Sequence, residues 1–438
     1  MRKKRIIFSI VCVLILITSV SFIYSYNNYP ISLAKPKEFV PNGRVILNKN
    51  LSKEKVLEDR EELINIIEDT HPIFLEGVNK KYREAKDRFI KNTNKGMLTS
   101  DFQVEVSKYL TSLEDKHTSI GWKEDEKLNV NWIYLDSKLK LLDKDDNLTN
   151  QEVVEINGVN IKSLKSGINE IFPYENYSGE NKNIENYLKG KKVLEYLGVK
   201  PKEEVKLKIK EGSNIKNISI SFIRNISKPL NREIYGKKID KDNYYIKFQI
   251  CTVNDSLNTL IDNLKGELNN GVKNVIVDVR DNPGGDSKAC EELLNAMGME
   301  CGSFSQKIRY SKLAKEQRGY LKETGYVDLE GSNYSKKNEN IKLYVITNAN
   351  TFSSATWLGT LVRDGNLGLI VGSSSENMPS SYGDIIQYQL KNSKIIGMVS
   401  HKKFIRPNKE KSDEKTLEPD IKLKFYEDPV SYIVNMNK

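Results

Sequence analysis

Two segments of this 438-residue chain have the residue types and spacing of chemistry done by backbone amides and a hydroxyl. In NVIVDVRDNPGGDSKACEELL an apolar strand runs out into Asn282-Pro283-Gly284-Gly285, and a helix follows. Glycines there let main-chain N–H groups come close to a ligand, at a helix N-terminus that already favours negative charge. That is oxyanion-hole geometry, although a tight turn with no chemistry has the same pattern. In KLYVITNANTFSSATWLGTLVRD a second strand passes through a polar turn to a helix with Ser353 at its entrance. A serine so placed can project its hydroxyl while the next N–H, from Ser354, faces the same bound carbonyl. Taken alone, Ser353 also fits an ordinary helix N-cap. Two such elements in one domain, each following a strand, point together to acyl transfer.

A serine nucleophile needs a base, and the chain has only three histidines, His71, His117 and His401. A neutral imidazole near pH 7 suits proton removal from serine. His117 is the best placed, in the turn EDKHTSIGW that enters a short strand. His71 precedes Pro72 at a helix end, where capping suits it, and His401 begins the basic strand HKKF.

The elements that must position these residues follow from periodicity. From Tyr244 onward, apolar strands (YYIKFQI, NVIVDVR, KLYVIT, LGLIVG) alternate with amphipathic helices (SLNTLIDNLKGEL, SKACEELLNAM, SATWLGTLVRD), which predicts a buried sheet in an α/β domain. Between about Asn129 and Asn225, short β-branched runs predict a small β-rich module, with Ile156-Asn157-Gly158-Val159 as a hairpin turn. Upstream, Val56, Leu63, Ile64 and Ile67 form a helical stripe that His71-Pro72 ends. A second helix is predicted from a capping box of Ser100 and Gln103, with Phe102, Val106, Tyr109, Leu110 and Leu113 on one face.

With these elements in place, the order DVRDNPGGD, TNANTFSSAT, IVGSSSENMPSSYGD resembles the core of the tail-specific and C-terminal processing proteases, which include the tricorn core. The likeness covers roughly Tyr244 to Asp420, and EDKHTSI and VVEINGVNI extend it upstream. It implies an α/β, ClpP/crotonase-like catalytic core behind an N-terminal helical region and a PDZ-like β-rich module. It makes Ser353 the nucleophile and assigns the oxyanion hole to the amides of Gly285, or neighbouring Gly284, and Ser354. One branch of the family activates serine with a lysine in a G-E-x-T-x-G-K context. The matching run here, Gly372-Ser373-Ser374-Ser375-Glu376-Asn377-Met378-Pro379, has none. The tricorn-like branch uses a histidine, which maps to His117, and a late glutamate, for which Glu418 in TLEPDI is the nearest match and Asp384 a competitor. No cofactor and no metal are expected.

The expected division is a signal-anchor over 1–30, a linker over 31–50, the helical region over 51–122, the PDZ-like module over 123–228 and the peptidase domain over 229–438. Behind MRKKR, the run from Ile6 to Tyr24 carries no charge and as a helix spans roughly 28 Å, close to a bilayer's hydrocarbon core. The cationic flank places the remaining chain outside the cytoplasm, and with no A-x-A-like site an uncleaved anchor is favoured over a cleaved signal peptide. The alternative is a secreted protein. Outside that run only Cys251, Cys290 and Cys301 remain, too few and too odd for a disulfide scaffold. Cys290 and Cys301 flank one helix, about 16 Å apart, and should not pair. The net charge of +10 comes from 69 Lys and Arg scattered among 59 Asp and Glu, with no basic block interleaved with aromatics, which argues against nucleic acid as a partner. A peptide or protein substrate is the expected partner, and a catalytically inactive peptide-binding protein on the same fold is the alternative.

Overall fold

The fold is taken from a computed structural model that describes residues 24–226 and 232–438. Among these residues no helix is long and apolar enough to cross a membrane. The expected anchor lies almost wholly outside them.

The C-terminal half of the chain is built on a six-stranded sheet with the spatial order Ile234–Lys238, Asn243–Phe248, Asn274–Asp278, Lys342–Thr347, Gly368–Gly372, Ile421–Lys422. All neighbours beyond the first pair run parallel. Because side chains alternate along a strand, the fully buried run Asn274–Asp278 feeds both faces. Val275 and Val277 meet a core shared with Leu257, Leu293 and Leu358 from the crossover helices Asp255–Asn269, Ser287–Ala296 and Ser354–Asp364. Ile276 packs on the other face with Ile346, Val371 and Ile433. The predicted strands and helices are all present here.

A second sheet, which the sequence reading does not contain, runs Tyr326–Leu329, Ser305–Arg309, Ile396–Ile405, Ser381–Gln389, with Ser119–Ile120 paired to Ile396–Ile405. Its residues Ile308, Ile386 and Tyr388, with Tyr310 just past the strand Ser305–Arg309, share one core with Leu63, Ile67, Phe89, Phe102 and Tyr109 of the N-terminal helices. Those helices are Lys53–Thr70, Lys80–Asn92 and Thr99–Thr111. The first is capped by Ser52 and ends at His71, as expected. The third begins at Thr99 behind Leu98 and has no side-chain cap, so the capping box at Ser100 does not form. Gln103 is instead drawn away to exchange hydrogen bonds with the main chain of Lys123.

The β-rich module is a seven-stranded antiparallel sheet with helices Ile161–Ile171, Tyr177–Tyr187 and Lys191–Tyr196. Its Asn157-Gly158 turn has positive φ at both residues (47° and 83°), the signature of a tight hairpin, with Ile156 opposite Val159. The expected linker also departs from a free stalk. Leu33 and Ala34 donate main-chain hydrogen bonds to the Gly319 carbonyl, Leu321 donates to Ile31, and Lys37 donates to Glu316. The segment lies along the C-terminal half of the chain because otherwise unpaired backbone groups at 316–321 accept it.

Candidate active site

The Gly-Gly turn is held by the buried side chain of Asn282. Its Nδ2 donates to the Phe248 carbonyl (2.7 Å) and its Oδ1 accepts from the Gly284 amide (2.8 Å). The Asn282 carbonyl accepts from the amide of Phe352 (2.9 Å), so one asparagine joins the strand, the glycine turn and the serine turn. Gly284 has φ +94°, and a Cβ there would sit 2.6 Å from Ser353 Cβ and 2.8 Å from Ser354 N. Only glycine allows this approach.

Gly285 bridges Cys251 in parallel register. Cys251 N donates to the Gly284 carbonyl, and Asp286 N donates to the Cys251 carbonyl. That ladder uses the groups on either side of Gly285 and leaves its own N–H and C=O outside it. The C=O accepts from Ser354 Oγ at 2.8 Å. Among the described residues the Gly285 N–H has no acceptor, whereas the Gly284 N–H is committed to Asn282. The Ser354 N–H, first in the helix Ser354–Asp364, is one of the donors that a helix start leaves unpaired.

Ser353 has φ 53° and ψ −128°, a strained conformation for a residue with a side chain, and occupies the N-cap position without making a capping bond. Its amide donates to Asn377 Oδ1 (2.9 Å). A strained strand-to-helix turn of this kind turns the hydroxyl outward. Thr351, two residues earlier, ties the turn to its neighbouring strand through Oγ and the Val279 carbonyl (2.9 Å).

His117 reaches this turn through Phe352, the residue before Ser353. The two ring centroids are 4.4 Å apart. The Ser119–Ile120 strand, paired to the second sheet, fixes the turn that carries His117. Its Nδ1 lies 3.6 Å from Asp115 Oδ1 and 3.8 Å from Glu175 Oε1. These distances are too long for made hydrogen bonds, and the attraction is Coulombic. Burial pushes the imidazole pKa down, but the two carboxylates outweigh it and raise it to about 9.

Both carboxylates are themselves fixed. Asp115 is fully buried. Its Oδ2 accepts from Thr118 Oγ (2.5 Å), Ser400 Oγ (2.6 Å) and His71 Nε2 (3.1 Å), and its Oδ1 accepts from the His117 amide (2.9 Å). His71 Nδ1 accepts from Ile73 N, which leaves its proton on Nε2 for Asp115. Burial alone would raise the Asp115 pKa, but His117 and His71 hold it well below the usual range. Glu175 comes from the β-rich module. Its Oε1 accepts from the Lys116 amide (3.1 Å), and its Oε2 accepts from Asn377 Nδ2 (2.6 Å) and Met378 N (2.8 Å). Asn377 thus links the Ser353 amide to Glu175.

The structure therefore brings Ser353, Ser354, Gly285 and His117 into one neighbourhood and places the expected third carboxylate elsewhere. Glu418 is exposed, and its carboxylate accepts from Tyr177 Oη (2.9 Å) and Ser374 Oγ (2.8 Å). Asp384 is bound by Arg318 and Lys402 beside His401. The carboxylates facing His117 are Asp115 and Glu175, which sequence reasoning does not single out. A signal for Asp115 was available: an aspartate two residues before another commonly accepts that residue's amide in a turn. Glu175, in the polar stretch PYENYSGEN, carries none. Lys116 Nζ, from the His117 turn, pairs with Glu376 of the Gly372–Pro379 run.

Residues 244–423 match the family model described as peptidase family S41. Among solved structures, mature CPAF aligns with TM-score 0.62 at 12% identity, over 85% of this chain and 93% of that one. Mature CPAF complexed with lactacystin aligns with TM-score 0.60 at 13% identity, over 88% and 98%. The photosystem II D1 C-terminal processing protease aligns with TM-score 0.43 at 13% identity, over 84% and 93%. A search of curated proteins gives no match. On the family match, a serine-peptidase domain of family S41 spans residues 244–423, and the chain as a whole shares its fold with mature CPAF.

Proposed function

We propose that Ser353 attacks the scissile carbonyl of a peptide, that the neutral form of His117, whose share grows as pH rises toward about 9, takes its proton at Nε2, and that the Gly285 and Ser354 amides receive the oxyanion. The tetrahedral intermediate collapses to an acyl-enzyme as His117 returns the proton to the leaving amine. Water then repeats the sequence and releases the acid. Asp115 and Glu175 orient the ring and stabilise the imidazolium that forms. They take the role that the resemblance assigns to Glu418.

The observation that carries this reading is the apposition of the strained Ser353 turn to Gly284 and Gly285, with the His117 ring against Phe352. The PDZ-like module would present an extended substrate by strand addition. The charged start and apolar Ile6 to Tyr24 run support a peptidase held at the cell membrane with its catalytic domain outside, processing or degrading envelope proteins.

A fluorophosphonate probe tests the reading. It should label wild type at Ser353 and leave Ser353→Ala unlabelled, and mass spectrometry of a peptide library should reveal cleavage by wild type alone. Peptide binding without labelling or cleavage would favour the inactive peptide-binding protein instead.

A further inference from the structure

The cradle around His117 is built to hold positive charge at Nδ1, and a proton is not the only cation of suitable size. Asp115, His117 and Glu175 each offer one ligand atom within 4.8 Å of the other two, and all three residues are buried. Nitrogen and oxygen ligands about 2.0–2.1 Å from a zinc ion are separated by roughly 3.3–3.6 Å at angles from tetrahedral to trigonal, and by about 3.8 Å when the angle opens to about 130°. The two Nδ1 to oxygen spacings here, 3.6 and 3.8 Å, fall in that range.

An independent observation points the same way. The His117 side chain is only 9% exposed, yet among the described residues neither of its ring nitrogens has a hydrogen-bond partner. Buried polar groups ordinarily find one. Beyond the ligand atoms, the outer oxygens of both carboxylates are anchored by other residues: Thr118, Ser400 and His71 on Asp115, and Asn377 and Met378 on Glu175. Metal-ligating carboxylates are commonly held in this way. The Lys116 side chain, next to His117 in sequence, is paired with Glu376.

We propose that Asp115, His117 and Glu175 form an inhibitory site for a divalent transition-metal ion, best matched by zinc, whose occupancy switches the peptidase off. Two carboxylates and a neutral imidazole offer two negative charges to a dication, in a mixed nitrogen and oxygen set that zinc accepts. Metal on Nδ1 forces the ring proton onto Nε2. That nitrogen then has no lone pair to receive the proton of Ser353, so the base is lost without displacement of the serine or the oxyanion amides. The inhibitory consequence rests on the proposed role of His117, but the binding site does not.

The test uses tag-free, full-length Ser353→Ala protein, in which turnover is removed and the three ligands are intact. After chelator treatment, titration with zinc sulfate in a calorimeter should give one ion per chain. In the same background, His117→Ala, His117→Gln and Glu175→Gln should each weaken binding by about 100-fold or more, as loss of one ligand of three does. Circular dichroism identifies any variant that fails to fold, and the two histidine variants back each other up. In the active protein, excess zinc should lower peptide hydrolysis by about tenfold or more, and a chelator should restore it. Absence of stoichiometric binding in Ser353→Ala, or binding that survives both histidine variants unchanged, overturns the site. Hydrolysis that ignores saturating zinc overturns the switch and leaves the peptidase reading intact. Stoichiometric binding in a protein whose Ser353 takes no probe keeps the metal site and sinks the peptidase reading.

Discussion

Around Ser353 the positioning contacts are mostly backbone, drawn from neighbouring strands of one sheet. The Asn282 carbonyl holds the Phe352 amide, Gly284 lies against the serine turn, and Gly285 is fixed by its ladder with Cys251. Around His117 the contacts are side chains drawn from distant segments: Asp115 beside it, Glu175 from the β-rich module, and Ser400 and His71 behind Asp115. The first half depends on shape and on the absence of a Cβ. The second depends on charge. The halves should therefore fail under different substitutions, and that difference can be measured.

The largest effect belongs to the reacting atom. Ser353→Ala should lower kcat by about 10⁶-fold, down to what binding and the oxyanion amides alone provide. Its thermal midpoint should stay within a few degrees of wild type, because the Ser353 hydroxyl makes no capping bond. A residual rate within 100-fold of wild type would remove Ser353 from the chemistry.

Removing charge from the second half without changing shape comes next. Asp115→Asn should cost about 10³- to 10⁴-fold in kcat, the scale seen when a triad carboxylate loses its charge. Glu175→Gln should also lower kcat, and Glu418→Gln should change it by less than about tenfold, since an exposed carboxylate away from the base contributes little. If Glu418→Gln proved the most damaging of the three in steady-state assays, the third catalytic group would be the one the family resemblance implies.

A single methyl should break the first half. In Gly284→Ala the new Cβ meets Ser353 Cβ at 2.6 Å and Phe352 O at 2.9 Å, on a backbone with φ +94°. The expected outcome is a loss of about 100-fold in kcat/KM, with a destabilisation of about 1–3 kcal/mol from strain and overlap. The pattern to look for is that Gly284→Ala lowers the denaturation midpoint and the rate together.

How much of this was legible in the sequence follows the same division. The sheet of the catalytic domain and both strand-turn-helix elements could be read because each is local: apolar strands, a Gly-Gly turn, and a serine at a helix start. The Asn157-Gly158 turn and the stop at His71-Pro72 were legible for the same reason. Glu175 was not, because the chain brings it to His117 only after two modules fold against each other, whereas Asp115, two residues before His117, is local and carried a turn signal that went unread. The second sheet was missed for a like reason, since its strand Ser305–Arg309 pairs with Ile396–Ile405, about a hundred residues on. Cysteine reasoning shows the limit plainly. Cys290 and Cys301 are unpaired, although the helix ends at Ala296 and does not span them as expected, and the neighbour that matters is Cys251, whose Sγ lies 3.6 Å from that of Cys290 beneath the oxyanion turn.

The smallest predicted effect is the most discriminating for the backbone half. Ser354 contributes two groups to the site: its N–H, proposed as an oxyanion donor, and its Oγ, which donates to the Gly285 carbonyl at 2.8 Å. Ser354→Ala removes only the second. The lost hydrogen bond, in a buried setting, should cost about 1 kcal/mol of stability, and alanine at the first helical position brings no conformational penalty of its own. Because the amide stays in place, kcat/KM should fall by less than about tenfold, against the 10²- to 10³-fold typical when an oxyanion donor itself is removed. Steady-state kinetics with one good peptide substrate, alongside thermal unfolding, reads both quantities. A loss approaching that of an oxyanion donor, with little change in the unfolding midpoint, would mean that the Ser354 hydroxyl itself acts on the substrate, and that this half of the site is not held by backbone alone.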